Sequence, residues 1–197
     1  SGAMYRAFAL KAIRAHIATG DAAALEALAH QNDVRHEPGE TGNRVLLDGV
    51  DVTVQLRSPG VTAAASEVSV HPAIRRWLVG LQQALGAQGN VVMEGRDIGT
   101  AVFPLAEVKI YLTASTRERT RRRWQELSAQ GIDVDVEQLE QEILARDLAD
   151  SQREVAPLRP AEDAVIVHSD DTSADGVVEK ILEIIDLRRQ ALVTSRG

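Results

Sequence analysis

The chain has 197 residues, 26% of them charged, with a formal net charge of -7; that length can bury a proper core, and that charge argues against a general nucleic-acid binder, which needs a positive surface to release counterions. Aromatic residues make up 3% and there is no cysteine, so base stacking has little to use, disulfides and thiolate metal sites are excluded, and a cytoplasmic location is expected. No apolar run approaches a membrane span, and no secretory signal is expected.

Ala3 to Ala18 carries Met4, Phe8, Leu10, Ile13 and Ile17 at helical spacing and is expected to stop at Gly20. Asp21 reads as the N-cap of a second short helix, Ala22 to His30. From Asp33 to Ser58 the period changes to alternation. Val45–Leu47 and Val52–Leu56 flank Asp48-Gly49, a hairpin signal that predicts a small antiparallel lobe. Val61 to Val68 and Pro72 to Leu85 return to helix, with Pro72 in a first turn.

Strands are then predicted at Val91–Met93, Val108–Leu112 and Ala164–Val167, with helices beginning near Ser115 and Thr172 and another over Val136–Asp150. Apolar strands alternating with helices predict an α/β fold whose parallel sheet is covered by helices. Neither repeats nor a linker long enough to divide the chain is present.

The cations are 19 Arg and 3 Lys. A GC-rich genome explains that bias, and so does anion binding, for which the planar guanidinium fork suits phosphate better than an ammonium. Positions must decide. Glu94-Gly95-Arg96-Asp97 follows the first predicted strand, where ligands bind in open α/β sheets. Ser115 caps a helix whose first turns hold Arg117, Arg119, Arg121, Arg122 and Arg123. Helical geometry puts Arg119, Arg122 and Arg123 on one face and Arg117 and Arg121 on another. A solvated basic face, a nucleic-acid patch and a site for a triphosphate nucleotide all remain open readings. On Val136–Arg153, Val136, Leu139 and Ile143 should point inward, while Arg146, Asp150 and Arg153 form one stripe.

Taken together, SGAMYR, the β insert, SEVSVHPAIR, EGRDIGTAVFP, VKIYLTASTRERTRRR and ARDLADSQREVAPLRPAEDAVIV resemble the bacterial cytidylate kinase family along nearly the whole chain. The resemblance implies a P-loop nucleoside monophosphate kinase fold, a parallel sheet flanked by helices with an inserted small antiparallel β lobe. It implies transfer of the γ-phosphoryl of ATP to CMP or dCMP with Mg²⁺, giving CDP or dCDP, in pyrimidine nucleotide metabolism. A monomer with ATP and CMP or dCMP as partners is expected, with no nucleic acid and no membrane. One domain is expected: residues 1–86 as the monophosphate-binding region with the β insert at about 31–58, residues 87–124 and 152–197 as the core, and about 125–151 as a lid that closes to exclude water.

Residue by residue, the resemblance implies that Ser1, Arg6 and Arg96 surround the CMP phosphate, with Tyr5 beside them in the substrate site. Ser66, Arg75 and Asp97 would read cytosine. Arg146, Asp150 and Arg153 would lie on the sugar and the transferring phosphates, so that Arg96, Arg146 and Arg153 carry catalysis. Arg122 would cover adenine, with Arg119 or Arg123 as neighbours. His168, Asp170 and Asp171 depart from the family's pattern at the adenine end. No G-x-x-x-x-G-K-[ST] occurs in the sequence, so the strand–P-loop–helix with its Mg²⁺ ligand is expected to be absent, and the chain as written to be inactive alone. The competing readings are a non-catalytic CMP-binding fragment and a nucleic-acid binder that uses the Arg-rich helix.

Overall fold

In a computed structural model, which describes residues 1–31, 33–37, 42–87, 89–153 and 155–194, the first helix, α1, runs from Gly2 to Arg14 and buries Met4, Ala7, Phe8, Ala9, Leu10 and Ala12. It ends earlier than its periodicity suggests. His16 adopts a left-handed φ of 54°, and Ile17 N–H donates to Ala12 O and His16 N–H to Ile13 O, each at 3.0 Å. That is a Schellman cap built on histidine, and Ile17 packs back onto the core. Gly20 is not needed as the stop. Helix α2, Ala22–Ala29, starts where expected, with Asp21 accepting a 3.0 Å bond from Ala24 N–H.

The lobe is a three-stranded antiparallel sheet of β1 (Val34–Glu37), β2 (Arg44–Leu47) and β3 (Val50–Asp51), in that order. Leu47 pairs with Val50 across a two-residue turn in which Asp48 and Gly49 both have positive φ, 51° and 81°, as a type I′ hairpin requires. The strand expected over Val52–Leu56 does not form. Asp51 accepts hydrogen bonds from the amide and the hydroxyl of Thr53, a local turn that ends the ladder. Val52 and Leu56 are buried four residues apart while Val54 between them is 86% exposed. The apolar alternation is therefore one helical turn, with a 3₁₀ segment over Gln55–Arg57.

Helices α3 (Pro59–Val68) and α4 (Pro72–Gly86) each begin with proline at the first helical position, where its missing N–H costs nothing. Helix α1 packs on α3, and α2 on α4. One apolar cluster joins Met4, Phe8, Leu25, Val68, Ile74 and Leu78. A second joins Ala7 and Leu10 to Val45, Leu47, Val52, Leu56 and Val61 of the lobe and its approach.

The chain divides into two units by its contacts, residues 1–95 and 96–197, and both apolar clusters belong to the first. Val91–Met93, expected as a strand, is irregular and Val92 is 98% exposed. An apolar triplet gains nothing from an extended path without a ladder partner, and left-handed Gly89 and Asn90 precede it. The second unit starts with a π turn over Ile98–Val102. Its β4 (Ile110–Thr113) and β5 (Val165–His168) form a parallel pair, with Ile110 opposite Val165 and Thr113 opposite His168. Among the described residues this is the one parallel pairing, in place of the three strands expected. Between β4 and β5 lie α5 (Thr116–Ala129) and α6 (Val136–Gln152), which pack on each other; α7 (Ala174–Thr194) follows β5.

Candidate functional site

The parallel pair sets the frame in the second unit. Ser115, just past β4, caps α5 by accepting a 3.2 Å bond from Glu118 N–H, so the basic helix starts at the carboxyl edge of the sheet. Asp170, just past β5, accepts the Ser115 amide at 2.9 and 3.1 Å through its two oxygens. The hydrogen bonds from Ser115 hold the Asp170 carboxyl below the usual aspartate range. Asp170 thus fastens the start of α5 to the end of β5.

Four of the five arginines of α5 are paired with carboxylates. Arg121 grips Glu118 through Nε and Nη2, both at 2.7 Å, and Arg122 Nε donates to the same carboxylate at 2.7 Å. These bonds, that from Arg121 first, hold the Glu118 carboxyl down to about 2. Arg123 turns to Glu126 at 2.6 Å, and Arg119 turns the other way, to Asp147 at 2.5 Å. Arg119, Arg121, Arg122 and Arg123 are thus each matched to a carboxylate, Arg119 to one on another helix. Arg122 also donates to the Ser169 hydroxyl at 3.1 Å and to its carbonyl at 2.5 Å. It thereby walls an open groove of about 480 Å³ lined further by Leu112, Thr172, Ser173 and Val177.

A second constellation joins residues far apart in sequence. Arg119 holds Asp147; Arg96 Nη1 stands 3.6 Å from Asp147 and its Nε 3.7 Å from Asp150; Arg153 Nη1 stands 3.4 Å from Asp150. The result is an alternating chain of three guanidiniums and two carboxylates. It is not a single helical stripe: α6 ends at Gln152, and Arg153 is its C-cap with an extended ψ of 137°. Arg153 Nε and Nη2 are buried without a hydrogen-bond partner, which is costly for a cation unless an anion completes the set. Arg146 lies exposed on α6, and Val136, expected inward, is exposed too. Asp147 is the residue sequence reasoning missed.

In the first unit, Arg75 of α4 is 4% exposed. Its guanidinium carbon sits 5.7 Å from the Tyr5 ring centroid, and Nη1 donates to Ser69 O at 3.3 Å. Ser69 Oγ in turn donates to Ser66 O at 2.7 Å, and Ser66 Oγ to Thr62 O at 3.4 Å. Tyr5, Ser66 and Arg75 are thus linked through α1, α3 and α4. Ser1 and Arg6 stand half-buried at the start of α1. Asp97, 5% exposed, begins the π turn in the second unit; its carbonyl accepts the amides of Thr100, Ala101 and Val102 at 2.8–3.3 Å.

The second unit is thus a parallel α/β unit whose Arg-rich helix α5 starts at the edge of its sheet. The family model "Cytidylate kinase" matches residues 1–187. Among the curated relatives, the cytidylate kinase of Syntrophotalea carbinolica is 46% identical over all of this chain and 83% of its own length. That of Pelotomaculum thermopropionicum is 48% identical over 96% of this chain and 84% of its own; that of Geobacillus kaustophilus is 46% identical over 95% and 84%. The chain belongs to the cytidylate kinase family, a family of enzymes. Among its described residues no helix is long and apolar enough to cross a membrane.

Proposed function

We propose that the chain serves ATP-dependent phosphorylation of CMP and dCMP. The observation that carries this reading is the alternating network of Arg119, Asp147, Arg96, Asp150 and Arg153. Phosphoryl transfer asks a protein chiefly for positioning and for positive charge around the equatorial oxygens. Arg153 keeps two buried nitrogens, Nε and Nη2, unmatched, and its remaining contact, with Asp150 at 3.4 Å, is looser than a charge-assisted bond of about 2.7–2.9 Å. Such a guanidinium is ready to bond an arriving phosphate. Arg96 and Arg146 act with it, and Asp150 is the acceptor for a sugar hydroxyl.

Cytosine presents an exocyclic amine and two acceptors. Asp97 accepts from the amine and Arg75, with Ser66, donates, a pattern that mismatches the reversed edge of uracil, with discrimination on the order of 10⁴. Arg122 covers adenine over the groove, Arg119 and Arg123 being its neighbours on α5, and residues 125–151 close as a lid. No group of three His, Asp or Glu side chains suited to a metal occurs among the described residues. Mg²⁺ would come with the nucleotide, as MgATP.

The nucleic-acid reading loses support, because Arg119, Arg121, Arg122 and Arg123 are already matched to Asp147, Glu118 and Glu126. The test is competition calorimetry with CMP, dCMP and UMP, followed by a coupled assay with MgATP. Preferential binding of CMP and dCMP is expected, and equal binding of UMP would remove the cytosine assignment. The 197-residue sequence contains no phosphate-cradling G-x-x-x-x-G-K-[ST], so this chain on its own is expected to bind CMP without turning it over. Turnover would overturn that part alone.

A further inference from the structure

Arg96 enters its network by charge without a hydrogen bond. Its nitrogens stand 3.6 Å from Asp147 and 3.7 Å from Asp150, both longer than a hydrogen bond to a carboxylate. Asp147 is bound quite differently to its other neighbour. It takes a 2.5 Å bond from Arg119 Nη1, and Arg119 Nη2 is steadied by Thr116 Oγ1 at 3.3 Å. One carboxylate thus holds Arg119 firmly and leaves the donors of Arg96 unbonded.

We infer that Asp147 is a positioning residue that holds Arg119 beside Arg96, so that both guanidiniums meet the phosphate of a nucleoside monophosphate. The inference rests on the kinase reading above and moves Arg119 from the adenine side to the phosphate side. Arg119 stands on α5 beside the like charges of Arg122 and Arg123, and only Asp147 draws it toward Arg96. Two guanidiniums brought close repel each other, and a carboxylate between them offsets that repulsion before ligand arrives. Phosphate then displaces only long ion-pair contacts at Arg96, with no hydrogen bond to break. The opposite role, a carboxylate that competes with phosphate, would place the short bond on Arg96. The short bond is on Arg119.

The test is calorimetric titration of CMP and of cytidine into the 197-residue chain, its D147N and R119Q variants and the double variant. CMP affinity is expected to fall about five- to tenfold in D147N, the scale of one net hydrogen bond, with cytidine affinity unchanged. D147E, which keeps the charge, should recover part of the loss. In the R119Q background D147N should cost nothing further. Unchanged or tighter CMP binding by D147N overturns the inference, as does an equal loss for cytidine or a loss that persists in R119Q. A wild-type chain that binds CMP no better than cytidine removes the phosphate site itself, and the kinase reading falls first.

Discussion

Arg75 and Arg96 are both substrate-site candidates, yet the two units hold them by different means. Arg75 sits in α4 between Ile74 and the turn that carries Leu78, both fully buried, with Tyr5 against its guanidinium. Its burial comes with the packing of the first unit, and Nη1 donates to Ser69 O. Arg96 is exposed and held only by carboxylates at ion-pair distance. Of the described residues, those forming the two apolar clusters all lie in residues 1–95, and the second unit organises its arginines through charge pairs. Packing fixes a group once, at the cost of adjustment. Charge pairs leave a group responsive to ligand, salt and pH.

The two tryptophans read the two units separately: Trp77 packs against the first cluster and Trp124 lies on α5. Phe8, fully buried and 5.3 Å from the Trp77 ring, should show the contrast most strongly. Phe8→Ala is expected to destabilise the first unit by about 3–5 kcal/mol, measured by urea denaturation followed at Trp77 in a Trp124→Phe background. An equal shift followed at Trp124 in a Trp77→Phe background would mean that the units unfold as one and the contrast has no thermodynamic meaning.

Next in size is Arg153→Ala, which removes two buried nitrogens that lack partners. CMP affinity should fall by about 1.5–3 kcal/mol, the range for hydrogen bonds to charged groups, while the urea midpoint at Trp124 does not fall. A lower midpoint with CMP binding intact would make Arg153 structural. Asp21→Ala removes the cap of α2 and should cost about 1 kcal/mol at the Trp77 probe. A null result there would mean that burial alone sets α2.

The smallest effect concerns pH. Glu118 titrates at about 2 against an ordinary 4.5, chiefly through its hydrogen bond from Arg121. A lowered folded value means that its contribution is complete above about pH 4.5 and is lost as pH falls through about 2. The urea midpoint at Trp124 should fall across that window, less steeply at high salt, and Glu118→Gln should remove that part of the slope. A slope identical in Glu118→Gln would assign the acid sensitivity to other carboxylates.

What could be read from sequence was local. Asp21, Ser115, Pro72 and Asp48-Gly49 act on neighbours within a few residues, and each does in the structure what its type requires. Val52–Leu56 misled because a competing local bond, Asp51 to Thr53, outweighs apolar alternation. Val91–Met93 misled because a strand exists only with its ladder partner. In the site, Arg96, Asp150 and Arg153 were found through the family resemblance, and the structure joins them with Arg119. Asp147 was not, since next to Arg146 it reads as helix decoration. Its tight partner lies 28 residues away on another helix, a separation no spacing rule covers.

The π turn after Asp97 makes chain length, more than composition, the constraint on this segment. Phe103 N–H reaches back to Ile98 O at 2.7 Å, and Val102 N–H to Asp97 O at 3.3 Å, each closing a ring one residue wider than an α turn. Removing one residue between Ile98 and Val102 would let an ordinary α turn form with its hydrogen bonds intact. It would also rotate everything upstream by roughly 100° about the helix axis, the angle one residue subtends. Arg96 would then face away from Asp147 and Asp150 although no charged group had changed. A library of natural or engineered variants should accordingly tolerate side-chain exchange across 98–102 far better than any change in the number of residues there.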